Sequence, residues 1–450
     1  MRRIALALIF AGSAAAPLAG CAEDPSAAAA SGAVVAGEPA GTPPGDSGLA
    51  VTSPTEPAAA PGHETPTAGR FVAHEWGTYT SVEDADGDSM LGLHHEEEPL
   101  PAFVDRRCFG CQSKSLETLP EAVTQKLETP VIYFYSDVAR DVTVDVRFPE
   151  GLLSEYYPRP VAYAPAFGEA LAVADGQLTW QVTVDPAIDP ATFPEVDADD
   201  IWAPSRRTTA TPLRAGAETE RFIFYRGLGR FEVPFRVRAT TADAVELRND
   251  SAEPIAAAFV LRVTDAGAAM SPAVALSAFG RATVPVPAAP GKSVDGAFVP
   301  ADRGGLLAAL VASGLTSDES VAMLDTWERS YFRTPGVRVL YVAPRAWTDA
   351  LLPITITPAP DELVRTLVGR VEVTTLPDEL DLVQRLADMQ VSGETAYGVV
   401  AALFDAHGRL VEARLRAAAR HIDDPALAAF AAAAIDEASG PFFNIERPLE

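Results

Sequence analysis

Apolar and polar residues alternate with a period of two along much of the chain between residues 71 and about 286. β-branched and aromatic residues dominate these runs, and turn-forming residues separate them, which is typical of half-buried antiparallel strands. The predicted strands cover residues 131–135, 142–148, 178–184, 222–225, 231–237, 244–247 and 255–263. Because strands and helices do not alternate regularly here, we expect sandwich-like antiparallel packing and not a doubly wound parallel sheet.

The pattern changes after residue 290. Residues 306–313 predict a short helix, and Thr316 with Glu319 forms a capping-box pattern ahead of apolar residues at helical spacing. Further strands are predicted at 337–342, 352–357 and 363–373, and the spacing from 377 to 440 is helical. We therefore predict an α+β fold with three parts: a β-rich antiparallel, sandwich-like body at 71–290, a mixed α/β segment at 291–375 and a helical C-terminal region at 376–450.

The N-terminus resembles a bacterial lipoprotein signal with its lipobox. Arg2 and Arg3 precede a short apolar run that ends in Leu-Ala-Gly and then Cys21. We expect residues 1–20 to be a signal peptide and Cys21 to carry the lipid, which places the protein at the bacterial cell envelope, by preference at the outer membrane. The alternatives are an ordinary signal peptide with a chance cysteine, or an uncleaved anchor helix. The run is short and interrupted for a membrane span of about 20 residues.

The segment that follows, 21–70, predicts a disordered tether. It is made mostly of Ala, Pro, Gly, Ser, Thr and acidic residues, with little apolar mass to offset its ordering entropy. The whole chain is acidic, with 62 Asp and Glu against 35 Lys and Arg and a net charge of −27. This balance argues against nucleic acid as a partner. We expect contact with the membrane through the lipid and an unknown ligand or protein partner outside the cytoplasm.

The densest group of polar residues suggests a metal site. His74 and Glu75 are followed about twenty residues later by His94 and His95. Imidazoles and carboxylates bind zinc and related metals, and loop ligands at this separation can converge. The spacing matches no standard zinc motif, so a hydrogen-bonded structural role for His74 stays open.

Asp84, Asp86 and Asp88 resemble an acidic calcium loop, because aspartates that alternate around a glycine direct several oxygens at one hard cation. The loop departs from an EF-hand. Its glycine is at the fourth position, and position twelve is His95 and not a glutamate. A plain Asp/Gly turn is the alternative.

With Cys21 assigned to lipid, Cys108 and Cys111 remain as a CxxC pair. A disulfide is the preferred interpretation in an exported protein. Half of a zinc site and a redox-active pair are the alternatives.

Residues 74–81, His-Glu-Trp-Gly-Thr-Tyr-Thr-Ser, resemble a group of exported bacterial proteins and lipoproteins that carry a HEWGTFTS-type motif. Residues 128–135, 224–227 and 338–341 are similar to other parts of that group. The resemblance covers most of 71–373. It implies an envelope location and a shared fold, and it transfers no catalytic role.

Two functions remain open at this stage. The first is an envelope-anchored lipoprotein whose body is a non-enzymatic binding or interaction module, since no complete catalytic signature is present. The second is a metal-dependent hydrolase or oxygen-using enzyme, with His74, Glu75, His94 and His95 around the metal and Glu75 as general base. Zinc and calcium are the candidate cofactors, and the sequence does not decide whether the chain is an enzyme.

Overall fold

The computed structural model describes residues 69–96, 98–106, 122–165 and 173–440. The strands in these ranges are β1 (Phe71–Glu83), β2 (Asp105–Arg106), β3 (Gln125–Leu127), β4 (Val131–Ser136), β5 (Arg140–Phe148), β6 (Gly151–Tyr157), β7 (Ala162–Ala164), β8 (Gly176–Val184), β9 (Leu213–Ala215), β10 (Glu218–Glu220), β11 (Phe222–Gly229), β12 (Phe235–Arg238), β13 (Ala244–Asn249), β14 (Ile255–Thr264), β15 (Gly267–Met270), β16 (Val274–Leu276), β17 (Arg281–Pro285), β18 (Gly336–Val342), β19 (Ile354–Thr357) and β20 (Glu362–Val373). The α-helices are α1 (Gly304–Ala312), α2 (Ser317–Thr326), α3 (Arg345–Leu351), α4 (Leu376–Ser392), α5 (Ala396–His407), α6 (Val411–Ala419) and α7 (Pro425–Ala438).

The described residues of the body form three sheets. The largest has eleven strands and runs β15-β14-β18-β20-β1-β3-β11-β6-β2, with β4 and β16 beside this path. A second sheet runs β10-β9-β8-β5-β19 with β7 at its side, and β12, β13 and β17 form a third. The predicted α+β class with antiparallel strands is confirmed. The exception is the pairing of β1 with β20, which is parallel from Val72 opposite Glu362 to Glu83 opposite Val373.

Strand β1 is buried along its whole length because both faces of the largest sheet are covered. One face shares a core with the other two sheets, which contribute Trp180 and Phe235. The opposite face packs under α1 and α2 through Leu310 and Met323. Side chains alternate between the two faces of a strand. Trp76 of β1 faces α1 and α2, since it belongs to the same apolar core as Leu310 and Met323.

The capping box predicted at the start of α2 is confirmed, with Thr316 and Glu319 bonding reciprocally. Strands from both sides of residue 290 share the largest sheet, since β18 pairs with β14 and β20 pairs with β1. The predicted division at that residue therefore crosses a continuous sheet.

Helices α4 to α7 have their own apolar core, which includes Leu386, Val399 and Leu415. A smaller cluster joins this helical region to the sheet by packing Val82 of β1 against Ala413 of α6. None of the helices in the ranges given above is both long and apolar enough to cross a membrane. Cys21, Cys108 and Cys111, with the predicted signal and most of the predicted tether, lie outside those ranges.

Candidate metal centre

The loop that follows β1 carries His94 and His95 into the interior. His94 is 8 % exposed and His95 is 1 % exposed. Leu93, next to them, is fully buried and packs in the same cluster as Ala413 of α6. The apolar residue holds the loop against the helix, so the histidines that follow it meet side chains of α6.

Gly92 allows a close approach between this loop and α6. Its φ is +107°, and a Cβ at this position would lie 2.7 Å from the Cδ of Glu412. A side chain here would be strained and would displace the glutamate. Its backbone N–H donates to the carbonyl oxygen of Val123 at 3.1 Å, which fixes the turn.

His94, His95 and Glu412 form one cluster. One ligand atom from each lies within 4.8 Å of the other two, and no other such group of three among the described residues contains His, Asp or Glu side chains this close. The rings of the two histidines have centroids 4.2 Å apart. His94 Nε2 is 3.6 Å from Glu412 Oε2. That distance is longer than a hydrogen bond. It is close to the ~3.3 Å between two ligand atoms of a tetrahedral zinc ion whose metal–ligand bonds are about 2.0–2.1 Å long.

Backbone groups at the end of α7 orient both histidines. His95 Nε2 donates to the carbonyl oxygen of Ala438 at 2.8 Å. His94 is hydrogen-bonded to the backbone of Ser439. Since His94 Nε2 is buried without a partner among the described residues, that bond uses Nδ1 and leaves the lone pair on Nε2. Metal-bound histidines commonly donate their second N–H to a carbonyl in this way.

Only one carboxylate oxygen of Glu412 has a hydrogen-bond partner in the described ranges. Its Oε1 accepts from Arg416 Nε at 2.8 Å, one turn further along α6. Its Oε2 is buried and has no hydrogen-bond partner within the described ranges. The C-terminal end of α7, which carries the negative end of the helix dipole, adds to the attraction for a cation.

Burial, with smaller contributions from the neighbouring His95 and Lys126, lowers the pKa of His94 to about 3. The imidazole is therefore neutral at physiological pH, which is the form that binds metal. Two imidazoles and one carboxylate make a donor set that suits zinc, and this set occurs in zinc enzymes with an open fourth position.

The predicted four-residue metal shell is wrong in its first half, because His74 lies elsewhere. His74 Nδ1 is 2.8 Å from Glu319 Oε2, and its ring contacts Tyr135 with centroids 5.1 Å apart. Glu319 is fully buried and also accepts from Tyr135 Oη at 2.8 Å. His74 therefore joins β1 to the capping box of α2, which corresponds to the hydrogen-bonded alternative.

Glu75 is also separate from His94 and His95. It follows His74 on β1, and adjacent residues of a strand face opposite sides of the sheet. Tyr225 Oη donates to its Oε1 and Arg365 Nε to its Oε2, both at 2.5 Å. Both oxygens are thus engaged, which removes Glu75 as the predicted general base.

The acidic loop does not gather its aspartates as three calcium ligands. Asp84 accepts the backbone N–H groups of Asp86 and Asp88 at 3.0 and 2.9 Å, which is the geometry of a turn. Arg420 contacts both Asp84 and Asp88, and Arg238 contacts Asp86 at 3.1 Å. The carboxylates face arginines, so the calcium prediction is wrong and the Asp/Gly turn is correct.

A buried polar chamber lies next to the metal cluster, and Glu96 on the same loop is part of it. Glu96 contacts Lys126, which is 1 % exposed, and accepts from Arg226 at 2.6 Å. Burial raises the pKa of Glu96, but Lys126 and Arg226 outweigh this effect and hold it at about 2. Burial lowers the pKa of Lys126, and Glu96 and Glu155 oppose that shift.

Glu128 forms the other wall of this chamber. It accepts from Tyr331 Oη at 2.5 Å and Thr80 Oγ1 at 2.9 Å, and it also contacts Arg409. Burial raises its pKa, while Arg409 and Arg370 lower it to about 2. The enclosed space is about 20 Å³, close to the volume that one water molecule needs.

Glu412 was not predicted from the sequence. It lies more than 300 positions beyond His94 and is one acid among 62. The apolar residues around Glu412 in the sequence indicated that its helix is buried. Val411, Ala413 and Leu415 are all fully buried, so this helix has apolar residues on more than one face around a glutamate.

The comparisons with known proteins assign no function to this chain. No protein-family profile and no curated protein matches this chain. Among solved structures, the mu-homology domain of Fcho1 from Danio rerio, with a bound Eps15 peptide, is 7 % identical and aligns over 68 % of this chain and 97 % of its own, with a TM-score of 0.23. A yeast delta-COP-I mu-homology domain is 8 % identical over 69 % and 98 %, also with a TM-score of 0.23. Likeness at this level carries no argument about fold or function.

Proposed function

We propose that this chain is an envelope-anchored lipoprotein whose folded body binds a transition metal, zinc by preference, through His94, His95 and Glu412. One observation carries the metal assignment. His94 Nε2 and Glu412 Oε2 are both buried, lie 3.6 Å apart, and have no hydrogen-bond partner among the described residues.

A simple hydrogen bond between the two side chains does not account for this arrangement. His94 is neutral, and its proton is on Nδ1 toward Ser439, so Nε2 presents a lone pair to a carboxylate oxygen. Two acceptors that face each other in a buried site repel, and each would lack its partner at a cost of about 1–3 kcal/mol. A cation between them satisfies both.

The metal would fasten the C-terminal helical region to the sheet. His94 and His95 belong to the loop after β1, Glu412 belongs to α6, and the carbonyl that orients His95 is at the end of α7. A ligand that binds only the folded state stabilises it in proportion to its affinity. We expect zinc to raise the melting temperature.

The location is part of the proposal. The signal-like residues 1–20 and Cys21 support a lipid anchor, and the acidic, polar segment after them supports a spacer between lipid and body. Metabolic labelling with a palmitate analogue in a bacterial host tests this. Label on the wild type that is lost in Cys21→Ser supports the anchor, and equal labelling or no labelling contradicts it.

Metal-dependent hydrolysis is the second candidate. Three protein ligands leave a fourth position on zinc for water, and Lys126 is close enough to His94 to affect its pKa. Turnover of an ester or peptide substrate by the zinc-loaded protein that is lost in Glu412→Ala would favour this candidate. A loaded protein without turnover favours the binding module.

Elemental analysis tests the metal assignment. The full chain, purified without a His tag and dialysed after incubation with zinc, should contain close to one zinc per chain. His94→Ala and Glu412→Ala should lose it, and His74→Ala should keep it. An empty wild type, or variants at positions 94 and 412 that retain the metal, would overturn the proposal.

A further inference from the structure

A second cavity, independent of the metal cluster, lies where the helical region meets the largest sheet. Its volume is about 270 Å³. Strands β14, β18 and β20 line one side, and α4, α5 and α6 line the other. We call it the arginine pocket, because Arg262 of β14, Arg385 of α4 and Arg414 of α6 all line it.

The pocket gathers three arginines of an acidic chain. Several arginines elsewhere form buried ion pairs, as Arg365 does with Glu75 and Arg206 with Glu220. Within the described ranges, the side chains of Arg262 and Arg385 form no hydrogen bond or ion pair. Three guanidinium groups from distant parts of the chain therefore converge on one cavity without a carboxylate partner within ion-pair distance.

Arg414 adds a buried donor that is not satisfied. Its Nη1 is 3.2 Å from His407 Nδ1, and its Nε is buried with no partner among the described residues. His407 also lines the pocket, and its Nε2 is likewise buried without a partner there. Burial lowers the pKa of Arg414, and Glu372 and Asp378 oppose that effect without pairing with it.

The acids that line the pocket are engaged elsewhere or exposed. Asp378 accepts the backbone N–H and hydroxyl of Thr375 in the capping box of α4. Glu379 accepts from the backbone of Ala85 at 2.7 Å and is 2.6 Å from His421. Asp381 is exposed. None of these acids therefore forms an ion pair with Arg262, Arg385 or Arg414.

We propose that the arginine pocket binds the phosphate group of a small phosphorylated molecule. Guanidinium forks match the paired oxygens of phosphate, and several forks around one group give strong, charge-assisted hydrogen bonds. The cavity is at the lower end of the range for small-ligand sites, about 300–1,000 Å³. A phosphate with a short organic group fits this volume.

Isothermal titration of the full chain with inorganic phosphate tests the proposal at physiological salt. We expect a dissociation constant of about 1 mM or tighter for the wild type. Arg262→Gln and Arg385→Gln should each weaken binding about tenfold or more. Neither variant orphans a described carboxylate, so both should fold. Arg281→Gln changes an exposed arginine of β17 outside the pocket and should bind as the wild type does.

Three results would overturn the proposal: no binding at about 10 mM phosphate, wild-type affinity in the Arg262→Gln/Arg385→Gln double variant, or binding of succinate without binding of phosphate. The last result would assign the pocket to carboxylates. Circular dichroism of each variant separates a loss of binding from a loss of fold. Zinc content in the same samples keeps this test distinct from that of the metal centre.

Discussion

His94 Nε2 lies 3.6 Å from Glu412 Oε2, and each atom is buried without a hydrogen-bond partner in the part of the chain that the structure describes. Glu412 Oε1 already accepts from Arg416, so the carboxylate is held with its second oxygen toward the histidine. The relationship connects the loop after β1 to α6, and the metal proposal depends on it.

The first prediction separates the two histidines that the sequence grouped together. His94→Ala should lower zinc affinity by about 100-fold or more, since even outer-shell changes cost about 10–100-fold. His74→Ala should leave zinc affinity unchanged but destabilise the fold by about 1–3 kcal/mol, because buried Glu319 loses a hydrogen-bonding partner. Competition with a zinc-binding dye and urea denaturation measure the two effects. Equal loss of zinc affinity in both variants would indicate that His74 is a metal ligand after all and would contradict this prediction.

The second prediction concerns Gly92. Alanine there would meet Glu412 at 2.7 Å and force a residue other than glycine to a φ of +107°. We expect a loss of about 1–3 kcal/mol in the free energy of unfolding together with weaker zinc binding.

Gly393→Ala is the matched control for Gly92→Ala. Gly393 caps α4 at a φ of +77°, and nothing lies within 4 Å of its added Cβ. Its cost should be about 1 kcal/mol with unchanged zinc affinity. If Gly92→Ala keeps the wild-type zinc affinity, the loop does not position the metal ligands as described.

The third prediction is a pH dependence at Glu83. Burial raises its pKa to about 8, although Val237 N–H donates to its Oε2 at 2.6 Å. Because the folded-state pKa is above the unfolded value, this glutamate stabilises the fold fully below about pH 4.5 and loses that contribution as pH rises toward 8. The loss approaches about 1.4 kcal/mol for each pH unit.

Glu83→Gln cannot ionise and retains an oxygen for Val237. Relative to the wild type, it should therefore become progressively more stable from pH 5 to pH 8. Urea denaturation across this range checks the prediction. Parallel pH profiles for variant and wild type would show that Glu83 does not hold a proton in the folded state.

The fourth prediction tests the polar chamber. Glu128→Gln removes the negative charge that contacts Arg409 and lies 3.8 Å from Arg370. Breaking a buried ion pair from one side costs about 3–5 kcal/mol. Glu362→Gln, which affects only the exposed pair with Arg70, should cost less than about 1 kcal/mol. Similar losses in the two variants would mean that the chamber is solvated.

The spacing of apolar and polar residues predicted much of the fold, because strands and helices each produce a characteristic period over a few neighbouring residues. The capping box of Thr316 and Glu319 needs only residues three apart, and it is present. The parallel pairing of β1 with β20 was not predicted, because it joins segments about 290 residues apart. Strand β1 also lacks alternation, since buried polar residues such as Thr78 and Thr80 interrupt its apolar positions.

The sequence predicted two residues of the candidate site, His94 and His95, and missed the third, Glu412, for similar reasons. His94 and His95 are adjacent in sequence, so residue type alone marked them. Glu412 comes from a remote helix, and only tertiary packing brings it to the histidines. The pairing of His74 with Glu75 in one shell conflicted with strand geometry, since neighbours on a strand face opposite sides.

Anomalous diffraction at the zinc absorption edge, from crystals of the zinc-loaded chain, tests the central claim most directly. The account predicts one strong peak about 2.0–2.2 Å from His94 Nε2 and from a carboxylate oxygen of Glu412, with His95 as the third ligand. A map with no peak between these residues, in crystals that diffract well enough to show both side chains, would contradict it.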